Sequence, residues 1–247
     1  MDMPQRIIAM WSGPRNISTA LMRSWGSRSD TRVLDEPFYA HYLLSTGYQH
    51  PGAEEIIGSY SSDWRAVIDE LLRERGDIAI LYQKHMTHHM LPHIDRSWLG
   101  KVSSSFLIRE PRRMLLSLMK VIPEPGLEQT GLPQQVELFE TVCALTGAAP
   151  PVIDARDVLQ QPATMLRHLC CALDVPFCSG MLSWPPGVRA TDGVWAKHWY
   201  AAVERSTGFA PYQADDSPLP ERLRGLLDAC QPLYDTLARY RIRPGAA

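Results

Sequence analysis

The stretch Met10-Trp11-Ser12-Gly13-Pro14-Arg15-Asn16-Ile17-Ser18-Thr19-Ala20-Leu21 carries the residue types of an anion site in the order such a site needs them. An apolar run, Ile7 to Met10, leads into a turn with Gly13 and Pro14, and a helical pattern follows in which Leu21, Met22 and Trp25 share one face. A strand, a turn and a helix start in that order aim several free N–H groups and the positive end of a helix dipole at one spot, where phosphate or sulfate binds. Arg15 adds a cation with a bidentate fork, and Ser18 and Thr19 add hydroxyls within the first turn. The same residues also fit an ordinary strand-to-helix turn with a cap. The nucleoside-triphosphatase template fails: Gly13 is followed five residues later by Ser18 where Gly is wanted, and by Thr19 where Lys is wanted. Magnesium-dependent nucleotide hydrolysis is therefore not expected.

A second constellation lies at Phe106-Leu107-Ile108-Arg109-Glu110-Pro111, with Ser117 about two turns further on. The apolar run reads as a buried strand that delivers Arg109 at its carboxyl end, and Pro111 suits the first turn of the next helix. Ligands of open α/β sheets sit at the carboxyl ends of strands, so Arg109 is expected to meet the same anion as the first loop. Arg112 and Arg113 read as solvated helix residues. Groups that could take a proton near neutral pH follow another apolar run, at Lys84-His85-Met86-Thr87-His88-His89, and at Glu36. Lys84 and His85 cannot both face one ligand if a strand runs through both, because successive side chains point to opposite faces. His85, His88 and His89 have a spacing that could collect zinc on a helix, but no acidic or cysteine ligand is arranged with them, and no metal is expected.

These residues need a frame, and the chain supplies one. Strand candidates at Arg6–Trp11, Thr31–Leu34, Ile78–Lys84, Ser104–Arg109 and Val152–Asp154 alternate with helices at Ile17–Ser27, Trp64–Arg75, Arg112–Val121, Gln134–Leu145 and Ala163–Leu173. A last helix, about Leu219–Arg241, keeps a helical period through Leu223, Leu226, Leu227, Cys230, Leu233 and Leu237, with a kink expected at Pro232. The alternation predicts an α/β fold with a central parallel sheet covered by helices on both faces. The 247 residues, 45% of them apolar, fit a single domain over 1–247, in which segments about 38–62, 123–134 and 182–216 read as irregular lids or substrate loops. The formal charge of -2 gives no global drive toward nucleic acid or an anionic membrane. The apolar run after Arg6 is too short for a secretory core, and no segment approaches the ~20 apolar residues of a membrane span. Five cysteines at 143, 170, 171, 178 and 230 form neither a disulfide framework nor zinc pairs, so a soluble cytoplasmic protein is expected.

Taken in order, the motifs resemble the sulfotransferase family, whose donor is 3′-phosphoadenosine 5′-phosphosulfate (PAPS). Pro14-Arg15-Asn16-Ile17-Ser18-Thr19 is similar to the family's 5′-phosphosulfate loop, and Arg109 with Ser117 matches the pair that holds the donor's 3′-phosphate. Asp35-Glu36-Pro37-Phe38 is similar to the Glu-Pro that follows this loop in carbohydrate and many bacterial sulfotransferases, and the segment from Asp154 to Phe177 resembles a further family stretch. Arg189, Gly193 and Trp195 are similar to parts of the basic loop that closes over the 3′-phosphate. The resemblance runs over roughly residues 5–180, fades beyond, and implies a P-loop NTPase-like three-layer fold.

It further implies in-line transfer of a sulfuryl group from PAPS to a hydroxyl or amine of a small acceptor, without metal. Arg15, Asn16, Ile17, Ser18 and Thr19 would hold the donor's sulfated end, and His85 or Glu36 would take the acceptor's proton. His85 stands where phenol and hydroxysteroid sulfotransferases carry a catalytic histidine. Ile17 departs from the family pattern, which has glycine there: either the chain uses ordinary helical dihedrals at this point, or a Cβ comes near the donor. Two other classes stay open, a phosphotransferase on the same fold and a nucleotide-binding protein without turnover.

Overall fold

The computed structural model describes residues 5–76 and 78–245. Five strands, β1 (Arg6–Ser12), β2 (Thr31–Asp35), β3 (Ile80–Met86), β4 (Ser103–Ile108) and β5 (Val152–Asp154), form one parallel sheet in the order β2-β3-β1-β4-β5. The helices in chain order are α1 (Ser18–Trp25), α2 (Tyr39–Thr46), α3 (Ala53–Ser59), α4 (Trp64–Leu72), α5 (Pro111–Leu118) and α6 (Leu132–Thr146). They continue with α7 (Ala155–Gln160), α8 (Pro162–Ala172), α9 (Ala196–Trp199), α10 (Ala201–Glu204) and α11 (Arg224–Ala238). β1 sits at the centre: the chain leaves it for β2 at one edge and later crosses over it from β3 to β4, and the carboxyl end of the strand at such a switch is where open α/β sheets bind ligands.

Side-chain alternation builds three layers. Ile8 and Met10 of β1 and Ile80 and Tyr82 of β3 point to one face, where α1, α2, α7 and α8 cover them with Leu21, Trp25, Tyr42, Val158 and Leu166. Ala9 and Trp11, with Phe106 and Ile108 of β4, point to the other, under α4, α6 and α11. Because both faces are covered, β1, β3 and β4 are buried along nearly their whole length rather than at alternate residues. Acidic caps start several helices: Glu110 accepts from the N–H groups of Arg112 and Arg113 at 3.1 Å each, and Asp154 from that of Arg156 at 2.8 Å.

The structure moves several expected boundaries. β3 runs on to Met86, so both Lys84 and His85 lie within the strand, paired in register with Met10 and Trp11. Much of 41–62 is helical rather than irregular, because α2 buries Tyr39, Tyr42 and Leu43 against the core and ends at Gly47, whose φ of 68° makes the left-handed turn. α11 is shorter than its periodic pattern and passes through Pro232. α1 begins one residue later than expected, at Ser18.

The segment 123–134, expected as a lid, braces the turn at Gly13 instead. Gly131, at φ 71°, starts α6, and its carbonyl accepts from Thr87 Oγ1 at 2.7 Å. Gln135 in the first turns of α6 donates to the carbonyls of Trp11 and Leu107 at 3.1 and 2.9 Å, satisfying strand ends that have run out of partners. Gly13 packs so closely here that a Cβ on it would lie 2.5 Å from the Thr130 carbonyl oxygen. Gly13→Ala is therefore expected to cost about 1–3 kcal/mol. A lowering of the thermal midpoint by roughly 3–10 °C checks this, and an unchanged midpoint would show that the brace yields freely.

Candidate functional site

A cavity of about 510 Å³ opens at the carboxyl ends of β1, β2, β3 and β4. Residues 14–20 form its floor, and Glu36, Lys84 and Arg109 reach it from the ends of the neighbouring strands. At the floor the chain is strained. Arg15 and Ile17 have φ of 63° and 61°, in the left-handed region, and a β-branched residue is costly there. Asn16 between them keeps negative φ, and this alternation of hands curls successive N–H groups to one concave side. The ladder of α1 starts with Leu21 N–H donating to the Ile17 carbonyl at 3.1 Å, so the N–H groups of the preceding turn are left to face a ligand. Ile17 thus keeps the geometry a glycine would adopt instead of ordinary helical dihedrals, at the expense of backbone strain.

The structure brings Arg15 and Arg109 together. Arg15 Nε donates to Ser117 Oγ at 3.0 Å, and Arg109 donates to the Arg15 carbonyl, which puts both guanidiniums and the Ser117 hydroxyl at one end of the cavity. Partial burial lowers the pKa of both arginines, and for Arg109 the charges of Arg113 and Arg15 lower it further. Two cations held close together and partly out of water are a place for a polyvalent anion. Asn16 is turned inward, its amide donating to the Leu107 carbonyl at 3.4 Å, and contributes to the cavity as backbone and brace.

A buried charge network forms the opposite wall. Lys84 is 1% exposed and spends its three N–H donors on Asp35 Oδ1 at 2.9 Å, Glu36 Oε1 at 2.5 Å and the Tyr200 hydroxyl at 2.7 Å. Tyr200 in turn donates to Asp35 Oδ2 at 2.7 Å and accepts from Trp195 Nε1 at 3.2 Å. Burial raises the Glu36 carboxyl above the ordinary range and the Asp35 charge adds to this, while Lys84 pulls the other way. The Lys84 ammonium is penalised by its own burial, but the two carboxylates and Tyr200 outweigh that and hold it firmly protonated. Glu36 itself sits at φ 41°. Of the four non-glycine residues with positive φ among the described residues, Arg15, Ile17 and Glu36 all line this cavity, the usual location of retained strain.

Aromatic rings line the same cavity. His89 stacks between Tyr39 and Tyr42 at 4.6 Å from each, and His50 Nδ1 lies 2.8 Å from the Tyr39 hydroxyl. Burial keeps His88 and His89 uncharged, lowering His88 to about 3.

His85 is not brought to this cavity. It points to the opposite face, stacked on Trp11 at 4.2 Å and flanked by Phe38 and Trp98, with Nε2 3.1 Å from Gln83 Oε1. Burial and the Lys84 charge lower its pKa to about 3, so it is a neutral core residue, and strand alternation is the reason. With His85 turned away, the three histidines cannot converge on a metal, and no group of three ligating side chains occurs among the described residues.

Arg189, Gly193 and Trp195 are not at the cation cluster either. Arg189 donates to the Pro185 carbonyl, Trp195 is buried, and Asp192 between them forms a buried bidentate pair with Arg23 of α1. The far part of the chain instead reaches the cavity through Trp199, Tyr200, Val203 and Ser206. Nothing local in the sequence marks Tyr200, because its role arises only when α9 and α10 dock beside β2.

A family model described as "Sulfotransferase domain" matches residues 5–241. Two Arabidopsis thaliana proteins, branched-chain-amino-acid aminotransferase-like proteins 1 and 2, are 36% and 34% identical over 231 residues, 94% of this chain. The chain spans only 41% of the length of each. Among solved structures, a sulfotransferase from Alicyclobacillus acidocaldarius superposes with a TM-score of 0.58 at 13% identity, covering 97% of this chain and 96% of that one. The sulfotransferase domain of the Synechococcus PCC 7002 olefin synthase gives 0.50 at 13%, covering 93% and 95%. At such identities these structures establish a shared fold.

The charge network makes its own prediction. Lys84→Met leaves two buried carboxylates without their cation and is expected to cost about 3–5 kcal/mol of stability. Urea unfolding at neutral and mildly acidic pH checks it: the loss should shrink on the acid side as Glu36 takes up a proton, and a variant as stable as the parent at both pH values would refute the account.

Proposed function

The chain belongs to the sulfotransferase domain family, and on that premise we propose that its cavity binds PAPS at the Arg15/Arg109 end and a small hydroxyl- or amine-bearing acceptor at the Glu36 end. The observation that carries the donor assignment is the convergence of Arg15, Arg109, Ser117 and the curled 14–19 backbone at one end of the cavity. Their cations, hydroxyl and N–H groups match a ligand with two separated anionic groups. The donor, when bound, supplies the sulfuryl group and leaves as adenosine 3′,5′-bisphosphate.

This chain's residues then have distinct tasks. Glu36 takes the proton from the acceptor as its oxygen or nitrogen bonds to sulfur, and a carboxylate whose pKa is raised by burial is the better base for it. Lys84 orients that carboxylate and keeps its charge compensated. Arg15 and the N–H groups of the loop stabilise the negative charge that gathers on the leaving oxygens. His85 has no part in the chemistry in this reading. The two Arabidopsis relatives are named for aminotransfer, but Lys84, the buried lysine among the described residues, is held protonated by two carboxylates, the opposite of what a Schiff-base lysine needs. A reducing cytoplasmic location belongs to the same proposal and is supported by five free cysteines. Among the described residues no helix is long and apolar enough to cross a membrane.

Thermal unfolding with adenosine 3′,5′-bisphosphate tests the donor site. At ~100 times its dissociation constant the ligand should stabilise the fold by about 2.7 kcal/mol and raise the midpoint by roughly 5–10 °C. AMP should do less, and the shift should collapse in Arg15→Ala and Arg109→Ala; a preference for ATP with magnesium would overturn the assignment. Glu36→Gln should lower kcat by about 10²-fold or more with donor affinity kept, whereas His85→Leu should keep kcat. Binding of the bisphosphate with no product from any acceptor would favour the non-catalytic reading.

Stability has its own pH signature. The folded protein holds the Glu36 proton more tightly than the unfolded chain does, so this contribution is fully present below the ordinary carboxylate range and is lost as pH rises through the folded value. Glu36→Gln should remove that part of the pH dependence, which denaturant titrations of both proteins across the acid range will read.

A further inference from the structure

A second cavity of about 520 Å³ lies beside the first, and Tyr42, His88 and Gln129 line both. Its walls are largely apolar, with Leu91, Pro92 and Pro133 alongside Tyr48. Three charged side chains reach it: Arg96, Glu128 and Glu137. Arg96 has nothing left to offer a ligand. Its Nε and Nη2 each donate to Glu137 at 3.3 Å, its Nη1 to the Leu91 and Ile94 carbonyls at 2.9 and 2.5 Å, and its Nη2 also to the Met90 carbonyl at 3.0 Å. These five bonds use all five guanidinium donors.

Glu137 is thereby neutralised, but Glu128 is not. One of its oxygens accepts from Gln134 at 2.6 Å, and the other has no protein partner among the described residues. In the same chamber the rings of Tyr42 and Tyr48 lie 5.8 Å apart. An uncommitted carboxylate in an aromatic-lined chamber attracts a cation, and an anionic group there would meet like charge while the one lining cation, Arg96, is already committed.

We propose that this second chamber holds the non-reacting end of the acceptor, and that this end is an ammonium or quaternary ammonium group on a short apolar chain. The chain passes Tyr42 and His88 so that its hydroxyl or amine lies at Glu36. The placement of the reacting end rests on the sulfotransferase reading above, but the charge selection in the chamber does not.

Isothermal titration of the protein, with and without adenosine 3′,5′-bisphosphate, tests it with three probes of one chain length: an ω-hydroxyalkyl trimethylammonium, the ω-hydroxyalkanoate and the alkanediol. The ammonium probe should bind roughly tenfold tighter than the carboxylate. Glu128→Gln and Tyr48→Leu, both on the rim, should each reduce that ratio about threefold while the thermal shift from bisphosphate is kept. Equal binding of the charged probes, or a ratio unmoved by both substitutions, overturns the proposal. A bisphosphate shift without the ammonium preference refutes the chamber assignment alone, and the preference without any bisphosphate shift refutes the donor site while the chamber stands.

Discussion

An ammonium group with almost no access to water has to be surrounded by acceptors, and the position of Lys84 makes that requirement at the end of the sheet. Its burial would be prohibitive alone, so Asp35 at the end of β2 and Glu36 just after it must turn toward it, and Tyr200 must come back from the far end of the chain to complete the shell. The hydrogen bond from Glu36 N–H to the Lys84 carbonyl at 2.9 Å ties the two strand ends together in backbone as well. Once this shell is closed, the residues around Tyr200 have only one place to dock, and one wall of the cavity is set.

The other wall depends on a backbone held against its own preference. Left-handed conformations at Arg15 and Ile17 persist because the surroundings over-determine them: Gly13 is pressed against Thr130, Gln135 holds the strand-end carbonyls, and Arg109 holds the carbonyl of Arg15. The strain aims N–H groups at one point and sets them next to two cations with lowered pKa. Segment 123–134 thus braces that end of the cavity through Thr130 and Gly131, while Arg109 and Ser117 line it directly.

Between these walls the cavity is polarised. One end is cationic and polar, the other aromatic with a single partly compensated carboxylate, and the histidines between them are kept neutral by burial. In the function proposed above, such an arrangement would separate a place for a charged leaving group from a place for a nucleophile that must lose a proton, the division of labour that group transfer between two bound molecules requires.

Much of this was legible in the residues themselves. The apolar strands, their alternation with periodic helices, and the order of Gly13-Pro14-Arg15, Glu36-Pro37 and Arg109 with Ser117 eight residues on are local or regularly spaced patterns, and strand-end geometry follows from them. What the tertiary structure decided was which side of a strand each group faced and what a distant segment brought to it. His85 and Lys84 are neighbours in sequence, and the register of β3 against β1, extended by two residues past the expected strand end, sent one into the aromatic core and the other into the cavity. Tyr200 and Trp199 entered the site, and Arg189 and Trp195 did not, because the buried Arg23–Asp192 pair anchors their segment to α1. Such choices are set by the desolvation of buried charges and the closure of a shared core, energies that belong to pairs of residues far apart in the chain, so no local pattern in the sequence records them.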